Sequence, residues 1–481
     1  MPQQQTVNYL VSGGVDATNA VAVGKSIAAD LATKAGFSTD ANGNVTGLMG
    51  PSGNINLATQ LGRKFVSIGD SISADSAQVS GTIQTWGPWG YLTWMRRYLG
   101  QRAYFPISNI LAVAGTTISQ VSSGQLAAAI ALNPSVVTIE CGINDVTPAL
   151  AADTAAHANA TFAAMIAAYA PMISALRGAN IFVICVCIRT CAAPTALTTL
   201  QTQLVSRFNK WLQTTCKQNS GCLCYDPNPL YLDYSTGYAV ASLLRDGKHD
   251  TIGSAKTMGA DLASRITPLL PAHYDLLDMV NGPYDAVANP TGALLTNGLM
   301  SGTGGGVNNG VTGTCATGWN LYRANNSGTV TVVGSSGNVS GFTNLPKQII
   351  TIGGTGDGNT IQLEQTQTIP GNCAIGDYVV FEMMLDWSLT AGFQQIGINI
   401  NGRDTSYVSY SQSWDGVGNV SSYGSFTAMT DTGVLFRTEP IQLKTGATVL
   451  DTFLQIITPS SGAITGTISV YLANCYKVNI S

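Results

Sequence analysis

The chain has 481 residues, more than one hydrophobic core of ordinary size accommodates, which implies two or more domains. Charged residues make up only 10%, the formal net charge is -4 and no dense basic cluster occurs, which removes the electrostatic footprint of a nucleic-acid binder. The 53 glycines, with abundant Ala, Thr, Ser and Asn, describe many turns and a neutral, polar surface.

Residues 1–62 hold scattered small residues and one helical candidate over 16–36, interrupted by Gly24 and ended by Gly36. This is a poor independent core and reads as an attachment arm or oligomer-forming segment. The start lacks the basic and apolar regions of a signal peptide, and no stretch is read as reaching the roughly 20 apolar residues of a bilayer span.

From 63 to 275, apolar runs alternate with helical stretches. The runs are "KFVSI", "NILAV", "SVVTIE" and "NIFVICVCI". One helix places Leu197, Leu200, Leu204, Phe208 and Leu212 on a single face. Runs apolar on both sides, alternating with helices, predict a parallel sheet covered on both faces, hence a doubly wound, flavodoxin-like three-layer α/β domain. Over 290–481 helical periodicity fades, and short strand-like segments separated by Gly, Asn, Ser and Asp predict a β-sandwich of jelly-roll type.

Cys185, Cys187 and Cys191 sit in or beside an apolar run and read as reduced, small hydrophobes. Cys216, Cys222 and Cys224 could hold one bridge or a metal, but their spacing fits no zinc pattern well, and no metal or cofactor is expected.

In open α/β sheets, ligands bind beyond the carboxyl ends of the strands. The first run leads into Gly69-Asp70-Ser71, the second into Gly115, and the third into Gly142-Ile143-Asn144-Asp145; the fourth leads to Arg189 and Thr190, to which no role is assigned. A serine nucleophile needs a base within hydrogen-bond reach, itself oriented by a third group. Of three histidines, His157 follows Asp153 as a helix-surface pair and His273 lies in an interdomain connector. His249 differs: "LLRDGKHDTIG" places Asp246 three residues before it in a glycine-containing loop, where the carboxylate can turn back to the imidazole. Asp70 and Asp145 read as structural, holding nearby backbone.

Gly69-Asp70-Ser71, Gly115, Gly142-x-Asn144-Asp145 and Asp246-x-x-His249, in that order, resemble the four blocks of the GDSL (SGNH) hydrolase family. The resemblance implies ester hydrolysis, with Ser71 as nucleophile, His249 as general base and Asp246 as its orienting partner. It further implies an oxyanion hole made by the N–H groups of Ser71 and Gly115 and the Asn144 side chain. Asp250 departs from the pattern, standing where the family often has proline, which bears on the shape of the loop.

Trp94 shares its helix with Met95 and Tyr98 and reads as core, whereas Trp86 is the candidate for stacking on a sugar ring. Trp319, Trp387 and Trp414 each fit either a stacking platform or core. "LLTNGLMSGTGGG" followed by "GWNLYRANN" is similar to the opening of jelly-roll carbohydrate-binding modules. Arm, esterase and terminal β-sandwich together resemble bacteriophage tail spikes that de-esterify capsule or O-antigen. This implies an acylated bacterial polysaccharide as partner, a homotrimer attached to the tail through the arm, and a virion-tail or extracellular location. A lipase or thioesterase of the same family, and a glycan-binding adhesin without activity, remain the other readings.

Overall fold

The structure, a computed structural model, describes residues 37–39, 45–50, 53–55, 64–80, 83–147, 154–270, 283–290, 292–325, 328–342, 344–418 and 429–478. The helix expected over 16–36, Asp153 and His273 lie outside the described residues. Two compact units result, one of Met1–Ala74 with Arg102–Ala272 and one of Asp75–Gln101 with His273–Ser481. Residues 75–101, which the sequence places inside a continuous α/β domain, therefore group with the β-rich unit. Their strands Ala77–Ser80 and Ile83–Trp86 complete one of its sheets. In the expected arm, Phe37–Thr39, Val45–Gly50 and Gly53–Ile55 pair as a small antiparallel sheet.

In the first unit four parallel strands run in the order Phe65–Gly69, Val136–Glu140, Phe182–Val186, Cys222–Tyr225. The "NILAV" segment lies along the free side of Phe65–Gly69 through bridges of Lys64 with Tyr104 and Ser67 with Ile110, rather than as a full strand. Counted along the chain, the order is 2-1-3-4-5, a doubly wound arrangement whose switch point falls between Phe65–Gly69 and Val136–Glu140. All five residues of each of these two strands are buried, so both faces of the sheet are covered. Helix Thr199–Gln218, capped by the Thr198 hydroxyl, buries Leu204, Phe208 and Leu212, the face its periodicity predicts.

Helix Ala155–Gly178 corrects one expectation: by length and composition alone it is apolar enough to cross a membrane. Its alanines conceal this in a scan for strongly apolar residues. Met165, Tyr169, Met172, Ile173 and Leu176 are buried, and Tyr169 meets Phe208 edge-on at 5.6 Å.

The second unit contains two mixed sheets. One has the order Gly304–Asn308, Cys315–Arg323, Thr360–Thr368, Val449–Ile457, Gln395–Arg403, Ser409–Gly418, Ile83–Trp86, Ala77–Ser80; the other runs Val311–Gly313, Val330–Asn338, Pro346–Thr355, Ala463–Val478, Tyr378–Ala391, Met429–Arg437. Trp319 and Trp387 are buried in this unit and belong to its core.

Candidate active site

Ser71 opens the four-residue helix Ser71–Ala74 directly beyond strand Phe65–Gly69. The approach requires glycine at 69, because a Cβ there would stand 2.1 Å from the Glu140 carbonyl oxygen. Buried Gln125 clamps the same residue: its Oε1 accepts from the Gly69 N–H at 2.8 Å and its Nε2 donates to the Gly69 carbonyl at 2.9 Å. The Asp70 carboxylate accepts from the Ile72 N–H at 3.0 Å, the backbone-holding role expected for it.

His249 Nε2 stands 2.7 Å from Ser71 Oγ, and His249 Nδ1 stands 2.7 Å from Asp246 Oδ2. Asp246 Oδ1 accepts the backbone N–H groups of Lys248 at 3.0 Å and His249 at 2.8 Å, which fixes the loop around the ring. Burial works to raise the Asp246 carboxyl, but these bonds and the imidazole outweigh it and hold the pKa at about 2. An ionised carboxylate only accepts, so Nδ1 carries the proton and Nε2 is left to accept from the Ser71 hydroxyl. Ser71 is 8% exposed and the His249 side chain 17%, so a small carbonyl group can reach Oγ from one side.

Gly115 is exposed, with φ +79, and no heavy atom lies within 4 Å of where its Cβ would stand. Asn144 Nδ2 donates to the Thr116 carbonyl at 3.1 Å, and Asn144 Oδ1 accepts from Lys248 Nζ at 3.4 Å. The ammonium thereby sets which end of the amide donates, and one Nδ2 hydrogen is left over. Asp145 Oδ2 accepts the Ile118 N–H at 2.9 Å, so the Gly115 loop and the Asn144 segment are tied twice. Asn144 is thus joined to the Gly115 loop through Thr116 and to the His249 loop through Lys248.

Residues 67–249 match the model of the GDSL-like Lipase/Acylhydrolase family. This stretch is a GDSL-like acylhydrolase domain. Among solved structures the chain is similar to a GDSL-like lipase from Bacteroides thetaiotaomicron, at 17% identity over 43% of this chain and 88% of that one, TM-score 0.32. It is also similar to a catalytic mutant of an acetylxylan esterase from Geobacillus stearothermophilus, at 15% over 44% and 98%, TM-score 0.35. A third likeness is to the enzymatically active domain of bacteriophage CBA120 tailspike protein 4, at 14% over 37% and 22%, TM-score 0.25. No curated protein sequence matches the chain.

Beneath the acylhydrolase site lies a buried polar network that the sequence did not reveal. Arg189, given no role above, donates through Nη1 to Asp250 Oδ1 and through Nη2 to the Lys248 carbonyl at 2.8 Å. Tyr231 donates to the same Asp250 oxygen at 2.7 Å, with the Arg189 guanidinium 4.8 Å above its ring. Asp250, the departure from proline, therefore anchors the His249 loop to the residues following strand Phe182–Val186. Burial raises the Asp70 carboxyl to about 6, and burial together with the Asp70 charge pushes Glu140 well above the usual range. Burial likewise raises Asp145 to about 6.

Trp86 corrects another expectation. It lies in the second unit, is 3% exposed, and has the Arg96 guanidinium 5.0 Å above its ring, so it offers no face to a sugar. Trp94 is buried and donates to the Pro88 carbonyl at 2.8 Å, the core role read for it. His157 is exposed at the start of helix Ala155–Gly178. Cys187 and Cys224 bring their sulfurs to 3.5 Å.

Proposed function

We propose that the protein is a serine esterase that removes O-acetyl or other short acyl groups from a bacterial surface polysaccharide, acting as a phage tail spike enzyme. The observation that carries the esterase reading is the hydrogen-bonded run from Ser71 Oγ through His249 to the Asp246 carboxylate at the switch point of the sheet. Ser71 Oγ attacks the ester carbonyl while His249 takes its proton, Asp246 stabilises the imidazolium, and the proton passes to the leaving alcohol. Water then hydrolyses the acyl-enzyme by the same path. The N–H groups of Ser71 and Gly115 and the free Asn144 hydrogen receive the oxyanion.

The loops that carry Gly115, Asn144 and Asp246 present small or polar residues, which suits a short acyl group better than a long chain. The polysaccharide reading draws on the neutral, polar composition and on the arrangement of arm, esterase and large β-rich unit. In this reading the second unit is a jelly-roll sandwich, the assembly is a homotrimer on the virion tail, and the arm attaches it.

The test compares wild type with Ser71→Ala on O-acetylated capsules and lipopolysaccharides, beside short- and long-chain nitrophenyl esters, with the released acid quantified. Acetate from a polysaccharide that disappears in the variant supports the reading. Cleavage of long-chain esters alone points to a lipase, and no Ser71-dependent release from any substrate points to a binding protein.

A further inference from the structure

In the eight-stranded sheet of the second unit, side chains alternate between two faces. Leu321, Leu363, Leu454 and Ile398 stand opposite one another across four neighbouring strands and are buried, which marks one face as core. The opposite face carries, in one row, Asn320, Glu364, Phe453, Asn399 and Trp414. The next row is Tyr322, Gln362, Gln455, Gly397 and Gly416. Every residue of the first row is partly exposed.

The two glycines make room for an indole. A Cβ on Gly397 would stand 2.6 Å from Trp414 Cζ2, and one on Gly416 would stand 2.8 Å from the same atom. Trp414 therefore lies against the bare backbone of two strands instead of standing off the sheet, an arrangement that turns the broad side of a ring outward. Trp414 Nε1 and Asn399 Oδ1, on residues directly opposite each other in this row, are buried and have no hydrogen-bond partner among the described residues. Unpaired buried polar atoms are costly, so two of them side by side on one strand pair call for a partner. Farther along, the Tyr322 hydroxyl donates to Glu364 Oε2 at 2.8 Å, holding that carboxylate in the same row. Trp414 and Phe453 are two strands apart, about 10 Å, within the reach of one oligosaccharide.

We infer that this sheet face, with Trp414 as its platform and Asn399, Glu364 and Gln455 as hydrogen-bonding groups, binds a glycan chain. The occupant follows from the chemistry of the face. Amides and one carboxylate surround isolated rings, and Arg403 is neutralised by Asp451, with Nη2 3.0 Å from Oδ1. A protein partner would call for contiguous apolar area, and an anionic one for free cations. The inference rests on the polysaccharide reading above and names where in the chain that polymer is held.

The test uses full-length Ser71→Ala protein, so that acyl groups stay on, in native affinity gels containing each polysaccharide of the panel above. Retardation by a polysaccharide is expected, with Trp414→Ala added to the same background weakening it about tenfold, the worth of one well-placed ring contact. Asn399→Ala is the second variant: it removes an amide whose oxygen lacks a partner, so it leaves the melting temperature unchanged or higher and lowers retardation. If both double variants are retarded like the parent, or if no polysaccharide retards the parent, the inference falls, while Ser71-dependent acetate release would leave the esterase reading intact. A drop in oligomer mass in light scattering caused by Trp414→Ala also overturns it, making the face an interface between copies. Retardation without any acetate release keeps the binding face and sinks the esterase reading.

Discussion

Replacing Asp250 by alanine removes one carboxylate from beneath the His249 loop and takes a hydrogen-bond acceptor from three groups. Arg189, 3% exposed, keeps only its bond to the Lys248 carbonyl, and its Nε already lacks a partner. Tyr231 loses its 2.7 Å acceptor, and Ser254 loses a contact at 3.3 Å. Breaking a buried ion pair from one side costs about 3–5 kcal/mol. Because the Lys248 contact survives, the lower end applies, and ~3 kcal/mol lowers the Tm of a unit of this size by about 6–12 °C. The assay is thermal unfolding of wild type, Asp250→Ala, Arg189→Met and the double variant. The double variant is expected to lose at least ~2 kcal/mol less than the two single losses combined, since neither charge is then stranded. Esterase kcat should fall with Asp250→Ala and partly return in the double variant, because the same pair holds the loop bearing His249. A single-variant loss below ~1 kcal/mol, or strictly additive losses, would refute the anchoring role.

Asn144→Ala should lower kcat by about 10² to 10³ with little change in KM, since the substrate contact assigned to the amide is to the oxyanion; steady-state kinetics with unaltered kcat would remove it from the hole. Gln125→Ala strands the Gly69 N–H, at about 1–3 kcal/mol for a buried group, while the Gly69 carbonyl keeps the Val113 N–H and the Thr116 hydroxyl; an unchanged melting temperature would show that the clamp is dispensable. Asp70 has a folded pKa of about 6 against the ordinary 3.8, so between these values the native state binds more protons and stability falls as pH rises. Urea unfolding of Asp70→Asn across that window should show a shallower decline than wild type, and an equal slope would place the effect elsewhere.

Three blocks of the site were legible because each follows an apolar run and the fourth because an aspartate stands three residues before a histidine in a glycine-containing loop, and Ser71, Asp246 and His249 meet directly. The rest hid for physical reasons. Strand Cys222–Tyr225 reads "CLCY", which looks like a thiol cluster rather than a β run. Strand Gly304–Asn308, "GGGVN", pairs through backbone with almost no side-chain pattern. Gln125 and Asp250 find their partners 56 and 61 residues away, a distance no local spacing signals. Trp86 misled because an aromatic residue soon after the nucleophile suggests a cleft wall. Its segment in fact pairs with strand Ser409–Gly418, whose polar sequence does not read as a strand.

The path of the chain between the units constrains how the protein can be divided. It passes from the first unit to the second after Ala74, returns at Arg102, and passes over again after Ala272. A protease cut in the stretch after Leu270 would therefore leave the halves joined by two covalent strands, and a gene fragment beginning at 102 would lack both the first strand of the parallel sheet and Ser71. The esterase is not a cassette that recombination can lift out with one cut at each end. A transplant that keeps it whole must carry the excursion of residues 75–101 along, or close the gap from Ala74 to Arg102 with a new loop.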